Sequence, residues 1–497
     1  MLTKFFQQFR KRRGRSGPWA LDASLMSLDG VENITLVRAL CGIFITGQTG
    51  SGKSTSSATH VAEAMLRAGF GGLVLSVKDE REQWTRLCRD TNRLKDLVVF
   101  DASSQWRFNP IDHEVNRRGK GAGQTENILH LLMTLVETSS RQNGRGDGRE
   151  DSAYWRNACR QLLRNTIDLA ILAYGRVTVP DLYQLIISAP TSPQMVRSND
   201  WRENSACFKA LNLADRREKS ERQARDFSLV ADFFLVEFPS LSEKTRSVIV
   251  STFTSLIDCL HRGILRDLFC TDSNITPEAI EDGKIVLVDI PLKEYGQVGL
   301  LANVIWKISM QKSIERRDFC RSARPVFLWA DEGHHYLHSE DSLFQSTCRS
   351  SRVASVLITQ NIPNLDVALG GGDLGRAQAE SLLANFGTLM FHCNTCGRTN
   401  EFASGLAGRT LQMFSSGNLS NSTADWPMAA IGMGGIGQTS GGYSESYEFE
   451  IQPAALTRLR TGGPANRWCA DAIVFKSGDL FQSTGRIYLP VSFRQKF

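Results

Sequence analysis

The sequence predicts an α/β fold, with a mostly parallel sheet covered by helices and an all-helical segment inserted into it. Three observations carry that expectation. Short β-branched or aromatic runs alternate with helical periodicity at both ends of the chain. A glycine-rich loop separates the first run from the helix that follows it. The stretch 124–261 has helical spacing throughout and holds no short apolar strand.

Residues 42–46 (GIFIT) read as a strand that breaks into glycines, and 53–68 as a helix with Val61, Met65 and Leu66 on its apolar side. Two more strands are expected at 73–77 and 97–100, separated by a charged helical stretch at 79–89. Strands alternating with helices imply a parallel sheet buried on both faces. Helical spacing then runs through 128–136, 154–172, 182–187, 227–238 and 248–260, with 141–149 and the charged run 215–225 as exposed connections. Strands return at 285–290, 326–330, 353–359 and 388–392. The expected organisation is a basic tail and lead-in over 1–34, a discontinuous α/β domain over 35–114 and 236–497, and an all-helical insertion over 115–235. Residues 415–442, rich in Gly, Ser and Asn around GMGGIG, read as a mobile loop. Residues 472–475 and 486–489 read as a closing strand pair.

A chain of 497 residues with 41% hydrophobic content can bury a large core. Its 58 basic against 52 acidic residues are an excess too small to imply a polyanionic partner by itself. Eleven cysteines without dense regular spacing fit a reducing compartment, and the Cys393/Cys396 pair lacks the further ligands a zinc site needs. Lys4, Arg10, Lys11, Arg12, Arg13 and Arg15, interleaved with Phe5, Phe6 and Phe9, read as a solvated tail; the sharper reading is a weak anchor to anionic lipid. No stretch approaches the roughly twenty apolar residues that span a bilayer. A cytoplasmic chain without its own transmembrane segment is therefore expected.

Residues 47–54 read GQTGSGKS, a G-x-x-x-x-G-K-[ST] loop between strand and helix. Its glycines let successive N–H groups point at phosphates, so Gly47, Gln48, Thr49, Gly50, Ser51, Gly52, Lys53, Ser54 and Thr55 form the expected nucleotide cradle. Lys53 reaches the β and γ oxygens of ATP, and the Ser54 hydroxyl ligates Mg2+. Such a loop needs a carboxylate on a nearby strand, and 326–332 (VFLWADE) supplies Asp331 for Mg2+ and Glu332 as general base. Gln360, at the tip of the next strand, is the candidate for positioning water. Arg349 and Arg352 lie between, and an arginine from a neighbouring subunit stabilises developing γ-phosphate charge; Arg349 is preferred. His334, His335 and His338 are read as hydrogen-bonding or packing residues, with His334 and His338 on one helix face.

Further stretches narrow the reading. DSAYWRNACRQLL (151–163), LSEKTRSVIVSTF (241–253), ITPEAIEDGKIVLVDIPLKEYG (275–296), TQNIPNL (359–365), NFGTLMFHCNTCGRTNEFASGLAG (385–408) and SESYEFEIQPAALTRLRTGG (444–463) carry the signal. Together with the loop and the DE pair, they resemble the type IV secretion coupling proteins of the TraG/TraD kind, within the HerA/FtsK group of ring translocases. That resemblance covers the chain from about residue 35 onward. It implies a RecA-like motor domain, ATP and Mg2+ as cofactors, and a homo-hexamer passing DNA, single-stranded and contacted without regard to sequence, through a central channel. It also supports Lys53, Ser54, Asp331, Glu332 and Gln360 in the roles given, and Arg349, eleven residues before Gln360, as the interface arginine. Many coupling proteins begin with transmembrane helices, which this sequence lacks. The departure points to a membrane-tethering subunit, a tail recruited to the inner face of the membrane, or a soluble branch; a relaxase is a further implied partner. The Gly/Ser-rich loop 415–442 is the candidate channel element. The alternatives are a secretion assembly ATPase acting on protein, and a nucleotide-switched adaptor that recruits a relaxase or nuclease.

Overall fold

The computed structural model describes residues 19–142, 150–317, 323–420 and 438–497; the basic run over 4–15 and GMGGIG lie outside them. The chain enters through an antiparallel pair, β1 (Ser24–Ser27) and β2 (Asn33–Thr35). Its Met26 and Ile34 share a core with Val61 and Met65 of the helix Thr59–Arg67. The parallel strands are β3 (Ile43–Thr46), β4 (Gly71–Leu75), β5 (Leu97–Asp101), β6 (Ile285–Asp289), β7 (Val326–Ala330), β8 (Val353–Thr359) and β9 (Thr388–His392). After them come β10 (Arg409–Ser420) and β11 (Gln438–Phe449), then β12 (Cys469–Lys476) and β13 (Tyr488–Arg494).

Among the described residues nine strands form one sheet in the order β13-β12-β9-β3-β8-β7-β4-β6-β5. Strands β9 to β5 run parallel, and the antiparallel pair β12 and β13 extends the β9 edge. Every residue of β3, β4, β7, β8 and β9 is buried, as near-continuous apolar runs require when helices cover both faces. The order has one consequence for chemistry: β8 lies between the strand that feeds the glycine loop and the strand that ends in Asp331 and Glu332.

Between β5 and β6 every regular element among the described residues is a helix, from Pro110–Asn116 to Glu278–Glu281. These helices are started by local chemistry. Ser198, Ser205 and Ser242 each accept a backbone N–H at a helix N-cap, and Ser220 forms a full capping box with Gln223. Their apolar faces join the sheet in one continuous core, in which Phe100 of β5 and Phe108 pack on Trp306. Trp306 sits on the helix Gln297–Arg316, which is apolar and buried around most of its circumference. No single helix among the described residues is long and apolar enough to cross a membrane.

Four local expectations need correction. The charged run 215–225 is mostly helix, ending one helix at Arg216 and starting the next at Glu221, because Ser220 caps the second so closely. The ends of the expected mobile loop 415–442 are ladder instead, since β10 and β11 pair from Arg409↔Phe449 to Ser420↔Gln438. The helix after the glycine loop opens as a π-turn over Ser54–Ala58 before continuing as Thr59–Arg67. His338 lies beyond the 3-10 turn Gly333–Tyr336, so it shares no helix face with His334.

Candidate active site

The glycine loop, the acidic pair and Gln360 all follow the C-terminal ends of parallel strands, the edge at which open α/β sheets bind ligands. In the loop, Gly50 and Gly52 take φ of +79° and +82°. A Cβ on Gly52 would also stand 2.9 Å from Ala470 Cβ, and one on Gly47 would stand 2.7 Å from His392 Cβ. Gln48 N–H donates to the Cys393 carbonyl at 2.9 Å, which ties the loop to the end of β9. The Ser51 hydroxyl is buried without a hydrogen-bond partner among the described residues.

Five of the expected residues meet. Lys53, 6% exposed, places Nζ 3.5 Å from Glu332 Oε1. Ser54 Oγ donates to Asp331 Oδ2 at 3.1 Å. Gln360 Nε2 donates to Glu332 Oε1 at 3.3 Å, while its backbone carbonyl accepts from Thr46 Oγ1 at 3.1 Å and Asn394 Nδ2 at 2.8 Å. Those two anchors come from β3 and from just after β9, so the side chain of Gln360 is held where β8 leaves the sheet.

Glu332 stands in the left-handed region, at φ +51° and ψ +40°. A non-glycine residue there costs about 1–3 kcal/mol, a strain found where surroundings force a side chain into a site. Its Oε2 is buried with no hydrogen-bond donor among the described residues. His334 stands beside it, with Nδ1 3.8 Å from that oxygen and 3.1 Å from Thr359 Oγ1. Burial first, then the neighbouring His335, lowers the His334 pKa to about 4, so the ring is neutral.

Two residues of the site come from the segment that follows β4 and were not among the expected ones. Lys78 Nζ lies 3.3 Å from Asp331 Oδ2. Burial alone would lower its pKa, but its neighbours, led by the charge of Asp331, outweigh burial and raise it. Glu80, assigned from sequence to a charged helical stretch, is only 4% exposed at the N-cap of the helix Arg81–Asp90. Burial, reinforced by Asp331, pushes its carboxyl up to about 8. Sequence carries one signal for the pair, a K-x-E directly after an apolar run.

Thr55 is bonded to the loop, its Oγ1 donating to the Gly52 carbonyl at 3.2 Å, and also to the segment after β13. Its Oγ1 accepts from Gln495 Nε2 at 2.7 Å, and its carbonyl accepts from Lys496 N–H at 2.8 Å. Arg349 is exposed in the turn before β8, and Arg352 donates to the Ala323 carbonyl at 2.9 Å. Since Gln360 follows the seven-residue β8, Arg349 stands roughly 20 Å away at the other edge of the sheet. No arginine finger reaches this site from the same chain through that segment.

No family model matches the sequence, and no curated protein matches it. Solved structures do. The plasmid coupling protein TrwB in complex with the non-hydrolysable ATP analogue ADPNP has a TM-score of 0.58 at 15% identity, over 98% of this chain and 92% of that one. TrwB in complex with ADP and Mg2+ has 0.56 at 15%, over 98% and 91%. The unbound bacterial conjugative coupling protein TrwB has 0.55 at 14%, over 96% and 90%. These likenesses establish the fold as a RecA-like P-loop domain bearing a helical segment.

Proposed function

We propose that this chain is a Mg2+-dependent ATPase that translocates DNA, working as a ring of identical subunits in the manner of conjugative coupling proteins. One observation carries the reading. Lys53, Ser54, Asp331, Glu332 and Gln360, from three strand ends far apart in sequence, converge on one spot.

The donor set fits a nucleotide and its metal. Ser54 and Asp331 present two hard oxygens to Mg2+, and Gly47 and Gly52 let the loop pack against His392 and Ala470 where a Cβ would clash. Bound there, Mg2+ would neutralise phosphate charge. Lys53, paired with Glu332 in this structure, turns to the β and γ oxygens. Glu332 then takes the proton of the attacking water, which Gln360 orients from the other side of the same carboxylate. The strained backbone and orphaned Oε2 of Glu332 suit a base whose partner is the reacting water. Arg349, exposed and remote from its own site, serves the site of the adjacent copy.

DNA as the substrate rests on the likeness to solved structures of conjugative coupling proteins. A cytoplasmic motor recruited to the membrane by a tethering subunit, with a relaxase as cargo, is consistent with that role. The test is the ATPase rate against added single- and double-stranded DNA, with oligomer mass recorded in the same samples. DNA stimulation that fades steeply with salt, with assembly to hexamers, is expected. A rate no higher than that of Lys53→Ala would overturn the ATPase reading, and a rate indifferent to DNA would overturn the DNA reading.

A further inference from the structure

Two groups converge on a single atom. Ser54 Oγ and Lys78 Nζ stand 3.1 and 3.3 Å from Asp331 Oδ2, the oxygen that the proposed function gives to Mg2+. Lys78 reaches it because β4 lies directly beside β7. An ammonium and a divalent cation cannot share one carboxylate oxygen without strong repulsion. Asp331 is fixed in the core, whereas the Lys78 side chain is 47% exposed on a flexible four-carbon stem.

A second seat lies two residues away. Glu80 Oε2 accepts from Trp84 Nε1 at 3.2 Å, but Oε1 is buried with no hydrogen-bond partner among the described residues. A buried carboxyl oxygen left without a donor is unfavourable until one reaches it. Lys78 is the neighbouring donor with freedom to move, and its charge already acts on Glu80.

We infer that Lys78 is a built-in competitor of Mg2+, holding Asp331 until the metal arrives with nucleotide and then swinging to the unpaired oxygen of Glu80. This rests on the proposed Mg2+–ATP site and adds to it a residue pair that sets how much Mg2+ the site needs. Lys78 is thus a positioning residue that takes no part in the bond changes.

The experiment titrates Mg2+ against the full chain with a fluorescent non-hydrolysable ATP analogue, reading binding alone. Lys78→Met is expected to lower the half-saturating Mg2+ concentration roughly three- to fivefold, as loss of one part-exposed ion pair implies. Glu80→Gln removes the alternative seat and is expected to raise it. The double variant should behave as Lys78→Met, since without the ammonium the second seat has nothing to receive. A Lys78→Met midpoint equal to or above wild type overturns the inference, as does a Glu80→Gln shift in the same direction as Lys78→Met. Lys78→Met alters a half-exposed side chain, so it keeps the test decisive even if Glu80→Gln fails to fold. Wild-type binding that ignores Mg2+ would instead bring down the metal site itself.

Discussion

Replacing Lys307 by Met should loosen both the fold and the Glu332 carboxylate that the proposed mechanism uses as its base. Lys307 and Asp341 are 4% and 6% exposed, with Nζ 2.5 Å from Oδ2. Nζ also donates to the Tyr336 carbonyl at 2.7 Å, and Asp341 accepts from Gln311 Nε2 at 3.0 Å and His338 N–H at 2.8 Å. Burial alone would raise the Asp341 pKa, but His338 and Lys307 outweigh it and hold the carboxyl below its usual range. Met fills similar volume but leaves a buried carboxylate without its ammonium and the Tyr336 carbonyl without its lysine donor. Breaking such a pair from one side costs about 3–5 kcal/mol. The control is Lys312→Met on the same helix, whose ammonium is 38% exposed and 4.0 Å from Glu340, a contact worth under about 1 kcal/mol. Urea unfolding read by tryptophan fluorescence suits the comparison, because Trp306 is buried one residue away. The same change should lower kcat more than it changes KM. The turn Gly333–Tyr336 begins directly after Glu332, and it is held by Lys307 at its end and by Tyr336 OH donating to the Ser76 carbonyl at 2.6 Å. A Lys307→Met midpoint indistinguishable from that of Lys312→Met would refute the reasoning.

Glu332→Gln should bind nucleotide but lower kcat by about 10²–10⁴-fold, the usual range for a lost general base, in a steady-state phosphate-release assay. Gln360→Ala should cut kcat by up to about 10²-fold through misplaced water while nucleotide affinity, measured by fluorescence titration, stays near wild type. Gly52→Ala should abolish nucleotide binding, because φ of +82° disfavours a side chain and its Cβ would press on Ala470 and the Thr461 carbonyl. Buried His334, His338 and His392 each have pKa values lowered to about 4, so the unfolded chain binds more protons between about 6.5 and 4. Stability should therefore be intact above about pH 6.5 and fall toward pH 4, by roughly 1.4 kcal/mol per pH unit for each histidine, in urea midpoints measured across that window.

The glycine loop and the DE pair were legible as candidates because each is one contiguous segment with its own local chemistry. A glycine turn before a lysine needs no distant partner to be recognised, and the apolar run VFLWA is a buried strand by composition alone. The parallel strands at 326–330, 353–359 and 388–392 stand at the expected bounds for the same reason. The supporting residues are of another kind. Lys78 meets Asp331 across 253 positions only because β4 pairs with β7, and Gln495 meets Thr55 only because β13 returns along the sheet. Glu80, inside a charged run, carries no mark of burial in the sequence. Sequence alone determined which atoms are present for phosphate chemistry. The order of strands in the sheet decided which of them share a dielectric, and the energy of a charge depends on its neighbours in space.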